Sequence, residues 1–287
     1  MPDTNPLNAS VTITDPDWLE QNLGGSDLLV IDCQPDVYDY FHSHVPGAVY
    51  LSDKIWRCWE DFMPTRYLSP ESIEPVLRRS GLSGDKPIAL YSGKGGFSHQ
   101  GDGLEGTMCT YSLARWGFSH IYYLNGGIDR WKKEGRPVTK EFPTVEQTEV
   151  NVKLQSEFFV TFTQFLELRE QPDTFVVDIR PPEAYEEARL WSRPGHIPGA
   201  TNIPWKLFVD HQNTYQFRDI AQIKEIVESR GATGDKNIIV YCGTGREATN
   251  AFVTFKWLLK YPKVKLFEGS FTEWTARQQP TVTGKSP

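Results

Sequence analysis

Short apolar runs alternate with amphipathic stretches along this chain of 287 residues. In the second half, residues 175–179 and 238–241 are mostly apolar, rich in β-branched or aromatic side chains, and bounded by polar residues or glycine. That pattern suits strands buried on both faces. The second run leads into Cys242 and the turn Gly243-Thr244-Gly245, after which Ala251, Phe252, Phe255, Leu258 and Leu259 recur at helical spacing. The pattern makes Cys242 the last residue of a strand and starts a helix at about Arg246. The other elements predicted for this half are a helix from about Pro181, a short strand after His196-Ile197-Pro198-Gly199-Ala200, a helix near residues 220–229 and a strand at 264–267. Strands alternating with helices imply an α/β fold whose parallel sheet is covered on both faces. Ligands of such sheets sit outside the carboxyl ends of the strands, where Cys242 falls.

The first half repeats the second. Gly84-Asp85-Lys86-Pro87-Ile88-Ala89-Leu90-Tyr91-Ser92-Gly93 matches Gly234-Asp235-Lys236-Asn237-Ile238-Ile239-Val240-Tyr241-Cys242-Gly243 at an offset of 150 residues. Around it, residues 28–32 echo 175–178, and His44-Val45-Pro46-Gly47-Ala48 echoes His196-Ile197-Pro198-Gly199-Ala200. Tyr123-Leu124-Asn125-Gly126-Gly127 with Trp131 echoes Leu266-Phe267-Glu268-Gly269 with Trp274. Four markers in one order indicate a duplication, which divides the chain into a first domain (residues 1–138), a linker (139–152) and a second domain (153–287). The linker carries Pro143, three glutamates and little periodicity, and reads as exposed.

Composition narrows the function. With 39% hydrophobic and 13% aromatic residues the chain can bury two cores. A net charge of −7 disfavours general binding to nucleic acid or to an anionic membrane, so an anionic substrate would need a local pocket. Cys33, Cys58, Cys109 and Cys242 form no CxxC pair, which removes the common zinc and dithiol motifs and suggests a reducing compartment. No metal or cofactor is expected. The N-terminal MPDTNPLNASVTITDPDW has neither the basic region nor the apolar stretch of a leader, and no apolar run reaches about 18 residues. A soluble, cytoplasmic protein is the expectation.

The candidate chemistry centres on Cys242. A short loop feeding a helix N-terminus turns several backbone N–H groups inward and adds the positive end of the helix dipole. A sulfur placed there is favoured as thiolate, the reactive form, with a pKa below the usual value of about 8.5. Arg246 supplies a nearby cation. An unpaired cysteine is more often a buried packing residue. Packing alone, however, does not call for two glycines within three residues after it, whose backbone can approach a ligand closely. Ser92 holds the matching position of the first half, where its alkoxide is inaccessible near neutral pH and the following loop, residues 93–103, is expanded. The second copy should carry the chemistry and the first should serve as scaffold.

The duplicated halves, the strand-Cys-Gly-Thr-Gly-helix loop, the HxPGA element in both halves and the closing Glu268-Gly269-Ser270-Phe271-Thr272-Glu273-Trp274 resemble the two-domain rhodaneses. This is the group of thiosulfate sulfurtransferase and 3-mercaptopyruvate sulfurtransferase, and the resemblance spans residues 26–275. It implies two tandem rhodanese-like domains with a single active copy, the C-terminal one, and a site in the cleft between the halves. It further implies that Cys242 takes the outer sulfur of a small anionic donor, becomes a persulfide, and passes that sulfur to a thiophilic acceptor. Cyanide, a thiol or a thioredoxin-like protein would serve as acceptor. Backbone N–H groups of residues 243–248, Gly243 and Gly245 included, would hold the anionic sulfur.

Thr244 either adds a hydroxyl donor or serves only the turn. Arg246 either holds the donor's sulfonate or carboxylate or is a solvated first-turn cation, and Glu247 suits a helix start. Mercaptopyruvate enzymes resemble this chain in Cys-Gly-Thr-Gly, whereas thiosulfate-specific members carry basic residues just after the cysteine. Arg246-Glu247 departs from the Val-Thr that usually continues the mercaptopyruvate pattern, so both donors stay open. That group also uses two arginines ahead of the HxPGA histidine for the substrate carboxylate. One maps to Arg189 and the other to Ala184, leaving Arg180 or Arg193 as a substitute. The histidine matching His44 is assigned there to proton transfer, although its equivalence with His196 reads as structural. Asp32 and Asp178 end equivalent strands and read as fold residues, and Trp56 and Trp59 as core packing or a wall of the cleft.

Two other functional classes share parts of this pattern. A phosphatase of related fold needs an arginine six residues after the cysteine to clamp phosphate, and Ala248 stands there instead. A sulfur carrier or interaction scaffold, charged with persulfide by a partner protein, fits the same residues. No nucleic-acid or membrane partner is expected.

Overall fold

The computed structural model describes residues 9–25, 27–60, 63–84 and 86–287. Residues 1–8, on which the reading of the N-terminus partly rests, and Asp85 of the repeat lie outside the described residues. The strands in chain order are β1 (Ser10–Thr14), β2 (Leu29–Asp32), β3 (Val49–Tyr50), β4 (Arg57–Glu60), β5 (Met63–Tyr67), β6 (Ile88–Tyr91), β7 (His120–Leu124), β8 (Phe159–Val160), β9 (Thr174–Asp178), β10 (Thr201–Asn202), β11 (Asn237–Tyr241) and β12 (Val264–Phe267).

Two compact units result, one of residues up to Trp56 with Leu68–Gln155, the other of Arg57–Tyr67 with Ser156–Pro287. The first holds a parallel sheet of order β1-β7-β6-β2-β3, the second one of order β8-β12-β11-β9-β10. Position for position these are the same topology, so the repeat read from sequence is a repeat of folds. Parallel neighbours cannot be joined by tight turns. Helices make the crossovers and flank each sheet: Val37–His42, Pro70–Arg79 and Glu105–Arg115 in the first unit, Pro182–Glu186, Ile220–Glu228 and Glu247–Val253 in the second.

The central strands β6 and β11 read as continuous apolar runs because both of their faces are covered. Ile238, Ile239, Val240 and Tyr241 are all buried. Ile239 and Tyr241 join Phe165, Phe267 and Trp274 in the core on one face, as Ala89 and Tyr91 join Val30, Leu124 and Trp131 in the first unit. The HxPGA element is explained by the same duplicated bonds. Tyr241 Oη accepts from Ile197 N (3.2 Å), and Tyr185 Oη donates to Ala200 O (2.7 Å). Tyr91 with Val45 (2.9 Å) and Tyr40 with Ala48 (2.8 Å) do the same in the first unit.

Three departures from the sequence reading bear on the site. The β4–β5 hairpin packs with the second unit although residues 1–138 were expected to stay together, because Arg57 bonds the Thr244 carbonyl and Arg66 faces Glu273 at 3.8 Å. Strand β11 stops at Tyr241, so Cys242 is the first loop residue and not the last strand residue. The helix begins at Glu247, one residue after Arg246, and beyond Val253 widens into a π turn, Thr254–Leu258. There the Thr254 hydroxyl donates to Asn250 O (2.8 Å) and competes for the helix carbonyl. The linker is irregular and mostly exposed as expected, but Thr148 N donates to Arg78 O (3.2 Å) and Arg78 Nη2 to Val150 O (3.0 Å), which ties it to the helix Pro70–Arg79.

Candidate active site

Cys242 follows the central strand of the second sheet and is 1% exposed. Its loop is fastened to the start of the helix Ser270–Ala276. Phe271 N donates to Cys242 O (3.0 Å), Cys242 N to Ser270 Oγ (3.2 Å), and both Thr272 N (2.9 Å) and Thr272 Oγ1 (2.8 Å) to Gly243 O. The closing motif of the sequence is therefore the clamp of the cysteine loop. The indole of Trp191 lies over Gly243, its Nε1 donating to Thr272 Oγ1 (3.0 Å), and a Cβ at 243 would stand 2.3 Å from its ring. Gly245 has φ +82°, and a Cβ there would stand 2.7 Å from Glu268 O. Steric demand at 243, and both steric and conformational demand at 245, account for the two glycines.

Gly245 N donates to Cys242 Sγ at 3.1 Å, and the N–H groups of Ala248 and Thr244 also point to the sulfur. The cradle expected of residues 243–248 is present, but its effect on the thiol is outweighed by burial. Burial pushes Cys242 up to about 12, the Glu247 carboxylate adds to the rise, and the three backbone donors oppose it without prevailing. The expectation of a low thiol pKa is thus corrected, and Glu247, a candidate for the donor-binding set as well as a helix-start residue, acts on the sulfur. At neutral pH the resting group is a thiol.

The arginines divide. Arg246 is half-buried at the N-cap, with its carbonyl accepting from Thr249 N (3.2 Å) and Thr249 Oγ1 (2.7 Å). Thr244 is half-buried in the loop. Arg189 is exposed, two residues ahead of Trp191, and Arg193 is exposed as well; neither enters the hydrogen bonds of the cysteine loop. Arg180 is fully buried, with Nε on Asp178 Oδ1 (3.0 Å) and Nη2 on Asp178 Oδ2 (2.6 Å) and Gly195 O (2.9 Å), and Phe271 stacked over it at 4.0 Å. Burial works against its charge, but Asp178 more than offsets that and holds its pKa above the ordinary value. Its charge also acts on Cys242. Removing one partner of such a buried pair costs about 3–5 kcal/mol.

In the first unit Gln34 replaces that arginine, and Asp32 accepts from Gln34 N (2.7 Å), Gln34 Nε2 (2.8 Å) and Tyr91 Oη (2.7 Å). Without the arginine, burial pushes Asp32 up to about 6 against its hydrogen bonds from Tyr91 and Gln34. Ser92 is buried and donates to Cys33 O (2.9 Å), and the expanded loop is held by Asp39, which accepts from Phe97 N (2.7 Å) and Ser98 N (2.8 Å). His44 sets its ring nitrogens 2.8 Å from Tyr40 O and 3.0 Å from Glu141 O, and His196 sets its own 2.9 Å from Tyr185 O and 3.1 Å from Ser286 O. Both rings brace backbone. Trp56 is core, donating to Cys109 Sγ (3.4 Å), whereas Trp59 is 75% exposed. Among the described residues no three or more His, Cys, Asp or Glu side chains come together as a metal site.

Sequence reasoning missed Arg57. Its guanidinium, carried by β4, reaches the Thr244 carbonyl across 187 positions of sequence. The only signal available was a short basic and aromatic stretch, Arg57 to Arg66, without a function of its own.

The chain is similar to known proteins over most of its length. The family model "Rhodanese-like domain" matches residues 15–134 and 161–277. A Synechococcus elongatus protein provisionally named thiosulfate sulfurtransferase is 35% identical over 99% of this chain and 88% of its own. The 3-mercaptopyruvate sulfurtransferase of Escherichia coli K12 is 26% identical, covering 91% of this chain and 94% of its own, and the sulfur carrier protein TtuD of Thermus thermophilus 29%, covering 90% and 91%. Among solved structures, the E. coli 3-mercaptopyruvate enzyme SseA superposes with a TM-score of 0.80 at 24% identity over 91% of this chain and 99% of its own, a likeness of fold.

Proposed function

The chain belongs to the rhodanese-like family as a tandem pair of such domains, and on that premise we propose that it is a sulfurtransferase whose nucleophile is Cys242. The observation that carries this reading is the Cys242 sulfur at the end of the central strand, held by three backbone N–H groups. Only the second copy has that arrangement. The proposed catalytic domain is residues 153–287, supplemented by the β4–β5 hairpin that packs with it, and is joined by the linker 139–152 to a first domain, 1–138, in which Ser92 stands at the position of Cys242.

In the proposed reaction the Cys242 sulfur, giving up its proton to the leaving group or to solvent, bonds to the outer sulfur of thiosulfate or to the single sulfur of 3-mercaptopyruvate. The donor's S–S or C–S bond breaks, and its electron pair leaves with sulfite or with the pyruvate enolate. Attack by cyanide or a thiol on the outer sulfur of the persulfide then releases the product and restores Cys242. Gly243, Thr244 and Gly245 form the cradle, and Arg246 and Arg189 supply positive charge for the donor anion.

A carrier function, with persulfide received from a partner protein, is the second reading. The relative named as a sulfur carrier favours it. Among the described residues no helix is long and apolar enough to cross a membrane, and the proposed location is the cytoplasm. Steady-state transfer by wild type and Cys242→Ser, with each donor and with cyanide or a small thiol as acceptor, tests the proposal. Turnover lost in the variant supports it. No turnover of either donor by wild type removes the small-donor enzyme and leaves the carrier.

A further inference from the structure

The contact between Arg57 and the cysteine loop involves the same peptide unit that feeds the sulfur. Arg57 donates through Nη1 to the carbonyl of Thr244, and the N–H of the next residue, Gly245, donates to Cys242 Sγ at 3.1 Å. These two groups belong to one planar trans peptide, so the carbonyl and the N–H point in opposite directions. Whatever holds the carbonyl aims the N–H. The unit could not otherwise hold itself, because Gly245 sits at φ +82° and glycine is free to leave that conformation. A guanidinium on the oxygen also polarises the peptide and strengthens the hydrogen bond at its far end.

We propose that Arg57 is a positioning residue for the Cys242 site: its grip on the Thr244 carbonyl fixes and polarises the Thr244–Gly245 peptide so that the Gly245 N–H faces the sulfur. This deepens the sulfurtransferase reading and rests on it for its significance, but the positioning itself concerns the resting thiol. Arg57 is well placed for the task. It is half-buried on β4, and the hairpin that carries it is packed with the second unit and further linked through Arg66 to Glu273 (3.8 Å). Arg57 Nη1 also stands 3.4 Å from where a Cβ of Gly245 would be, so the guanidinium lies close against this peptide. Two other charges are coupled to Cys242: Glu247 raises its pKa, and Arg180, two residues beyond the end of β9, is held in its charged form in part by Cys242.

The test is the rate at which iodoacetamide alkylates Cys242 between pH 7 and 10, read by mass spectrometry on the Cys242 peptide. Wild type, Arg57→Met and Arg57→Lys are compared, with melting curves to verify folding. This readout needs no sulfur donor, so it stands even when neither donor is turned over. Loss of the aimed donor should slow alkylation in Arg57→Met about tenfold at fixed pH, the ratio of about one pKa unit. Arg57→Lys, which keeps a donor and a charge, should recover most of that. If donors are turned over, kcat/KM should follow the same order. A folded Arg57→Met alkylated as fast as wild type, or faster, overturns the proposal, as does an Arg57→Lys no better than Arg57→Met.

Discussion

Replacing Gly245 with alanine separates the geometry of the cradle from general packing. At φ +82° an L-residue costs about 1–2 kcal/mol relative to glycine. The new Cβ would also stand 2.7 Å from the carbonyl oxygen of Glu268, a backbone atom that cannot swing aside as a side chain would. Relief requires the loop or the Glu268 strand end to shift by several tenths of an ångström, and the two costs together come to about 2–4 kcal/mol. For a domain of about 150 residues this lowers Tm by roughly 5–15 °C. The same shift turns the Gly245 N–H from the sulfur, so sulfur transfer should fall by up to about a hundredfold, the loss typical of one preorganised donor. Gly199→Ala is the control, since Gly199 has φ +81° with nothing within 4 Å of its Cβ position. It should show only the conformational part of the stability loss and keep its turnover. Circular dichroism melting and steady-state transfer measure both. A Gly245→Ala protein with the Tm and turnover of wild type would refute the reasoning.

Glu247→Gln removes a charge that raises the Cys242 pKa, so the thiol should become more acidic and alkylation at pH 8 several-fold faster, by about 3–10 times. A slower or unchanged rate would contradict the role given to Glu247. In the first unit, Asp32 is raised from 3.8 to about 6, so its contribution to stability is full below 3.8 and is lost as the pH rises through 6. Urea midpoints at pH 4.5 and 7 should therefore fall more steeply with pH for wild type than for Asp32→Asn. The difference expected across the whole window is about 2–3 kcal/mol, and parallel curves would rule it out.

What the sequence disclosed follows from the range over which each feature is encoded. The burial of β6 and β11 on both faces was legible because such a strand must be apolar throughout, and because the repeat gave each element twice; their central place in each sheet came from the structure. The glycines after Cys242 were legible as a cradle, and their partners, Trp191 over Gly243 and Glu268 behind Gly245, supply the reason. The sign of the thiol's shift was not legible. It depends on how deeply Cys242 is buried, and loop composition does not encode depth. Family spacing pointed to Arg189, which is exposed, whereas Arg180 and Arg57 are the guanidiniums whose contacts reach the loop or its support. Arg180 belongs to a local Asp-x-Arg pair and was within reach. Arg57 was not, because a hairpin brings it to the loop from the other half of the sequence.

The central claim is that Cys242 itself carries the transferred sulfur. Incubation with 3-mercaptopyruvate or thiosulfate without acceptor, followed by alkylation, digestion and mass spectrometry, tests it most directly. The account predicts that the Cys242 peptide gains one sulfur, that Cys33, Cys58 and Cys109 do not, and that cyanide discharges it. A persulfide on another cysteine, or transfer that persists in Cys242→Ser, would contradict it.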